Sequence, residues 1–232
     1  LRRLEYRGYD SAGIAVINDD ACIERIRRMG KVENLSEAIS GHPLKGFTGI
    51  AHTRWATHGE PAERNAHPHV CNNQVAVVHN GIIENHAVLR QKQKALGYVF
   101  TSETDTEVVA HQVEYYKKQG NDLLAAVNKS IADFEGAYAL GVISTDEPDR
   151  LIATRSGSPL VIGIGFGEYF IASDVAALLP VTQRFIFLEE GDIADIRRQS
   201  LVIYDRKGNK VEREIRTSEL TVDAVSRGEA DA

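Results

Sequence analysis

From Ala137 to Asp205 the chain reads as one strand after another: AYALGVIS, DRLIATRS, PLVIGIG, EYFIASD, RFIFLEE, DIADIRR and LVIYD, with turns such as EEGD and DRKGN between them. β-Branched and aromatic residues broken at short intervals by turn residues are the pattern of antiparallel strands. Such a run leaves no room for the crossover helices that parallel strands require. The helices sit in the middle of the sequence instead. ENHAVLRQKQKALGY predicts one ending at Gly97. In TSETDTEVVAHQVEYY, Thr104 and Glu107 have capping-box spacing, and Val108, Val109, Gln112, Val113 and Tyr116 mark one helical face. Leu124, Val127, Ile131 and Phe134 mark another helix after Gly120. Upstream, AGIAVIND and CIERIRR predict two strands around an Asn-Asp-Asp turn, VENLSEAIS a helix ending at Gly41, and GFTGIAHTRW and QVAVVHNGII two buried strands. Strand pairs, then helices, then many strands predict an α+β fold of antiparallel sheets with helices outside.

At 232 residues, 43% hydrophobic and 26% charged, the chain can bury a full core. No apolar run reaches membrane-spanning length, no secretory signal opens the chain, and a net charge of −6 disfavours a nucleic-acid surface. Cys22 and Cys71 stand far apart in no ligand or redox spacing, which points to a reducing cytoplasm. LRRLEYRGYDSAG does not begin with methionine, and Leu1, Leu4 and Tyr6 are spaced like the last turns of an amphipathic helix. A fragment cut inside an element is therefore expected, with one domain over 1–222 and a polar linker or tail over 223–232.

The segment HTRWATHGEPAERNAHPH, His52 to His69, holds four of the eight histidines and the single tryptophan. His67-Pro68-His69 has the form of a chelating pair. Zinc motifs, however, bring HEXXH or CxxC partners, and none is present, so these histidines are read as hydrogen-bonding residues that shape a loop, with no metal. GIGFG, Gly163 to Gly167, lacks G-x-G-x-x-G spacing and runs into another strand, so it predicts a strand-to-strand turn and no nucleotide cofactor. Three other features remain. Arg54 leaves a strand, where a guanidinium either grips a carboxylate through two parallel hydrogen bonds or forms a structural ion pair. Asn80-Gly81 follows a buried strand and is either a pair of oxyanion donors or a tight turn. Asp105 precedes a helix and either pairs with an ammonium or favours the positive end of the helix dipole. Taken together, they fit one amino acid with a reactive side-chain carbonyl, and glutamine is the obvious candidate.

RGYDSAG (Arg7–Gly13), HTRWATHG (His52–Gly59), NAHPH (Asn65–His69), VHNGIIENH (Val78–His86) and SETDTE (Ser102–Glu107) stand in the order found in the class II glutamine amidotransferases, which this chain resembles. RSGSPLVIG and FLEEGDIA extend the match, which runs from Leu1 to about Val222. The wording is closest to the branch that aminates a sugar phosphate. The resemblance implies a four-layer αββα sandwich of two antiparallel sheets, of the N-terminal-nucleophile type, here lacking its first strand and part of its first helix. It implies hydrolysis of glutamine by a cysteine at the mature N-terminus, a position that neither Cys22 nor Cys71 matches. By the same resemblance Arg54 takes the substrate α-carboxylate, with Thr57 and His58 beside it. Asp105 holds the α-ammonium, Asn80 and Gly81 form the oxyanion hole, Trp55 closes over the site, and Arg7 and Gly8 position the nucleophile. The implied partners are glutamine, a C-terminal sugar isomerase domain of the same polypeptide and, for the full-length enzyme, a second copy. A noncatalytic glutamine-binding module that has lost its nucleophile is the alternative.

Overall fold

The computed structural model describes residues 1–56 and 59–218. Thr57, His58 and the expected boundary at 222 lie outside the described residues. In chain order the strands are β1 (Ser11–Ile17), β2 (Ile23–Met29), β3 (Thr48–Arg54), β4 (His69–Cys71), β5 (Val75–Ile83), β6 (Gly136–Ser144) and β7 (Arg150–Ser156). Then come β8 (Val161–Ile164), β9 (Tyr169–Ala172), β10 (Arg184–Phe187), β11 (Ile193–Arg197), β12 (Ser200–Tyr204), β13 (Lys210–Val211) and β14 (Ile215–Thr217). The helices are α1 (Val32–Gly41), α2 (His86–Ala95), α3 (Glu107–Lys118) and α4 (Leu123–Ala132). Short strands β4, β13 and β14 were not legible as strands, because two or three residues carry no period.

A seven-stranded antiparallel sheet, in the order β13-β12-β11-β7-β6-β5-β4, divides the molecule. Side chains alternate across it. Val75, Val77, Leu140 and Val142 point to one face and pack against Val108, Val109 and Val113 of α3 and Leu123 and Val127 of α4. Ala76 and Ile143 point the other way, onto Ala15, Ile17 and Ile50 of β1 and β3. On that same face Ala139, Ala153, Ala194 and Ile196 meet Ile162, Ile186 and Leu188. The outer faces are covered in turn by α1, where Val32 and Leu35 pack on Ala12, and by Leu178 and Leu179 over Val161 and Phe185. The result is a four-layer αββα sandwich of antiparallel sheets. No described helix is long and apolar enough to cross a membrane.

The smaller sheet layer differs from the expected single sheet. It consists of a three-stranded sheet, β2-β1-β3, and a four-stranded sheet, β14-β10-β8-β9. β3 and β9 are edge strands that flank one floor position: a Cβ on Gly141 of β6 would lie 2.8 Å from Ile171 Cδ1 and 3.7 Å from Ile50 Cγ2. The first residues form a 3-10 helix, Arg2–Arg7, in place of the expected α-helical turns.

The capping box is also corrected. α3 begins at Glu107, so Glu107 is the first helical residue, two positions short of where a capping box needs it. Its carboxylate reaches back to the backbone N–H groups of Thr101 (2.8 Å) and Ser102 (2.7 Å). The Thr104 hydroxyl is shared instead between His69 Nε2 and Ser102 Oγ, each at 3.0 Å.

Candidate active site

Arg54 ends β3 opposite Ser11 of β1, and its side chain is buried. Nη1 donates to Asp10 Oδ1 (3.3 Å) and to the Glu60 carbonyl (3.4 Å), and Nη2 donates to the Gly59 carbonyl (3.1 Å). The structural ion pair therefore exists, and through its loop contacts the same guanidinium fixes the segment that follows β3.

Asn80-Gly81 is not a turn. β5 runs unbroken through it to Ile83, with Asn80 opposite Ala139 and Gly81 opposite Tyr138 of β6. A local turn preference has given way to long-range pairing with β6. Glycine is required at 81 all the same: its φ is +124°, and a Cβ there would lie 2.1 Å from the Ala137 carbonyl oxygen. Strand parity sends Asn80, like Ala76, away from the helices and toward the smaller sheet layer. There its Oδ1 lies 2.7 Å from His52 Nε2. Asp105 is buried just before α3; its Oδ2 accepts the Ile83 N–H at 2.8 Å, and His79 Nδ1 lies 3.8 Å away. It is thus tied to the end of β5 and is more than a partner for the helix dipole.

These four residues line one cavity of about 570 Å³ between the sheet layers. Its floor is Val78–Gly81 and Ala139–Gly141. Gly49–Trp55 line it from β3, Tyr169–Ser173 from β9, and Leu1, Leu4, Arg7 and Gly8 from the first turn. Trp55 is largely exposed, and its indole lies on Gly8: a Cβ at Gly8 would fall 1.5 Å from Trp55 Cζ3. Arg7 donates to Asp174 Oδ2 (2.6 Å) and Ser173 Oγ (3.1 Å), so it links the first turn to the segment after β9. Guanidinium, carboxylate and amide groups around a partly apolar hollow suit a small zwitterion with a polar side chain. Thr57 and His58 lie outside the described residues.

The histidines form a packed wall. The His52 and His67 ring centroids are 4.2 Å apart, and those of His67 and His69 5.0 Å. His69 Nε2 meets Thr104 Oγ1, and His79 Nδ1 meets Thr106 Oγ1 at 2.9 Å. Burial pushes His52 down to about 4 and His69 to about 3, and holds His67 and His79 below the usual imidazole range. All four are neutral near pH 7. The described residues contain no group of three or more His, Cys, Asp and Glu side chains placed to hold a metal ion.

Two contributors went unread in the sequence. Asn65, fully buried, donates from Nδ2 to the Glu60 carbonyl (2.9 Å) and accepts the Glu103 N–H on Oδ1 (2.9 Å), so it ties the loop after Arg54 to the segment before Asp105. The wall from Ser158–Leu160 and β9 carries only strand and turn signals in the sequence. No spacing rule reveals either. The quoted motifs NAHPH and RSGSPLVIG were the only available signal.

Stacked antiparallel sheets enclosed by helices, with the site in the cleft between the sheets, define a sandwich of the N-terminal-nucleophile hydrolase type. Solved structures share it. Glutamine phosphoribosylpyrophosphate amidotransferase from B. subtilis, complexed with ADP and GMP, superposes with a TM-score of 0.73 at 25% identity, over 90% of this chain and 45% of its own. An allosteric regulatory enzyme of purine biosynthesis gives 0.75 at 26%, with the same coverage. A family profile described as "Glutamine amidotransferase domain" matches residues 52–180. The chain belongs to the class II glutamine amidotransferase domain family. Among its relatives, the glutamine–fructose-6-phosphate aminotransferase (isomerizing) of Idiomarina loihiensis is 58% identical over 229 residues, covering 99% of this chain and 38% of that protein. Its Escherichia coli counterpart is 60% identical over 228 residues, covering 98% and 37%. The chain thus spans less than two fifths of the length of these curated relatives.

Proposed function

We propose that this chain is the glutaminase part of a cytoplasmic glutamine–fructose-6-phosphate aminotransferase. Residues 1–222 form its glutaminase domain, and 223–232 lead toward a C-terminal sugar isomerase domain. Ammonia released from glutamine passes to that domain, which converts fructose 6-phosphate to glucosamine 6-phosphate and joins two copies into a dimer. The observation that carries the reading is that Arg54, Asp105, Asn80 and Gly81 line one cavity. Identity of 58–60% across nearly the whole chain to relatives of that name supports the choice of acceptor.

In this reading Arg54 holds the glutamine α-carboxylate and Asp105 the α-ammonium, which leaves the side-chain amide beside Asn80 and Gly81. The nucleophile is a cysteine thiol in a segment upstream of Leu1, and Leu1, Leu4, Arg7 and Gly8 bring that end of the chain to the cavity. The terminal amine takes the thiol proton as sulfur bonds to the amide carbon, and the carbonyl electrons move onto oxygen. Asn80 Nδ2 and the Gly81 N–H donate to that oxyanion. On its collapse the C–N bond breaks, the nitrogen takes the proton from the amine and leaves as ammonia, and water then splits the thioester to glutamate. Trp55 shields the site from bulk water, and Thr57 and His58, near Arg54 in the sequence, are further substrate-binding residues.

Asn80→Ala in the full-length protein tests this directly. Glutamine hydrolysis should lose about a hundredfold in kcat with little change in KM. An unchanged kcat would remove Asn80 from the oxyanion site. A mature N-terminus other than cysteine, with glutamine bound and not hydrolysed, would leave the binding module in its place.

A further inference from the structure

Which end of the Asn80 amide faces the cavity decides whether that residue can stabilise an oxyanion at all, and the shape of the side chain does not decide it. Oxygen and NH₂ are nearly the same size, so the two orientations differ only in their hydrogen bonds. With NH₂ toward the cavity, Asn80 donates to a developing negative charge. With oxygen toward it, Asn80 repels that charge.

We propose that His52 is a positioning residue that sets this orientation: its Nε2–H donates to Asn80 Oδ1 and so turns the Asn80 NH₂ into the cavity. The inference rests on the oxyanion role proposed above for Asn80.

Three observations carry it. His52 Nε2 and Asn80 Oδ1 are 2.7 Å apart, bridging β3 of one layer to β5 of the other. The imidazole is held in place: its backbone pairs with Gly13 in β1, and its ring lies 4.2 Å from that of His67. Finally, His52 Nδ1 is buried and makes no hydrogen bond. The two tautomers are therefore not equivalent. A proton on Nδ1 would strand a buried N–H and force Nε2 to accept from the amide. A proton on Nε2 leaves only a bare lone pair without a partner. Buried N–H groups without acceptors are the rarer case in folded proteins. Burial, helped by the nearby His79 and Arg54, keeps the ring neutral, with Asn80 and the His79 carbonyl only partly opposing. A neutral ring has a single N–H, so the tautomer fixes the amide. A protonated ring would still donate through Nε2 and preserve the orientation.

The test uses the full-length protein and follows glutamine hydrolysis and thermal midpoint together. His52→Leu should lower kcat by about ten- to a hundredfold with KM within about twofold. His52→Gln, which restores an N–H donor, should recover kcat to within about threefold of the parent. In an Asn80→Ala background His52→Leu should cost nothing further, because the ring acts only through that amide. The proposal is overturned by an unchanged kcat in His52→Leu, or by a loss that persists undiminished in the Asn80→Ala background. Asn80→Ala by itself separates the two readings: if it leaves kcat intact, the oxyanion role fails, whereas a loss there with no coupling to His52 defeats only the positioning role. Should His52→Leu fail to fold, heteronuclear NMR of histidine-labelled parent protein still decides. His52, assigned by its absence from the His52→Gln spectrum, should carry its proton on Nε2, and a proton on Nδ1 would overturn the proposal.

Discussion

Arg54 has two duties that pull on the same atoms. It supports the loop after β3 through the Gly59 and Glu60 carbonyls and neutralises Asp10, and in the proposed reaction it receives a carboxylate. Arg54→Ala should raise the KM for glutamine by roughly thirty- to several hundredfold, the equivalent of about 2–4 kcal/mol of lost charge-assisted hydrogen bonding. Its thermal midpoint should fall as well, because Asp10 loses its partner. Steady-state kinetics of the full-length protein check this, and a parent-like KM would leave Arg54 a purely structural residue. Residue types alone revealed chemical capacity here but not use. Arg54, Asp105 and Asn80-Gly81 each had an ordinary structural reading, and for Arg54 that reading is realised together with its place in the cavity. Only the fold places them together, so the resemblance in motif order had to supply their roles.

β5 shows most clearly how an element overrides its local sequence. Asn-Gly is a strong turn signal, yet pairing with β6 through Ala139 and Tyr138 holds it extended. The cost falls on Gly81. Gly81→Ala places a methyl against the Ala137 carbonyl oxygen at a positive φ, and it should destabilise the domain by about 2–5 kcal/mol. Gly41→Ala is the matched control. It sits at the end of α1 with nothing within 4 Å of its Cβ position, and should be neutral or stabilising by up to about 1 kcal/mol. Thermal midpoints of the two variants check the contrast, and equal midpoints would contradict it. α3 is the opposite case. Its apolar face was legible from period alone, but Glu107, His111 and Glu114 are buried too, and only tertiary partners explain them. Burial raises the Glu107 carboxyl, but the His111 ring 3.7 Å away and hydrogen bonds from Ser102 and Thr101 outweigh that and hold it at about 2.

At the scale of the molecule, neutral histidines are buried on both faces of the large sheet, His52 toward the smaller layer and His69 and His79 toward the start of α3, and this sets a pH limit on the fold. The unfolded chain takes up protons on these residues near the ordinary value of 6.5, whereas the folded protein resists until about 4 at His52 and about 3 at His69. Protons therefore favour the unfolded state. Stability should be full above about pH 7 and fall as pH drops through about 6 to 4, with a slope approaching 1.4 kcal/mol per pH unit for each such histidine. Denaturation midpoints across that range check the sign, and a flat profile would mean that the imidazoles are solvated. The layer order was legible because strands and helices segregate along the chain. The division of the smaller layer between β3 and β9 was not, since edge pairing depends on which strands meet in space. The most direct test of the account is a crystal structure of the full-length protein soaked with glutamate. The amino acid should lie between β3 and β9, with its α-carboxylate on Arg54, its α-ammonium on Asp105 and its side-chain carboxyl beside Asn80 and Gly81. Glutamate bound outside that cavity, or held in it without Arg54 and Asp105, would contradict the account.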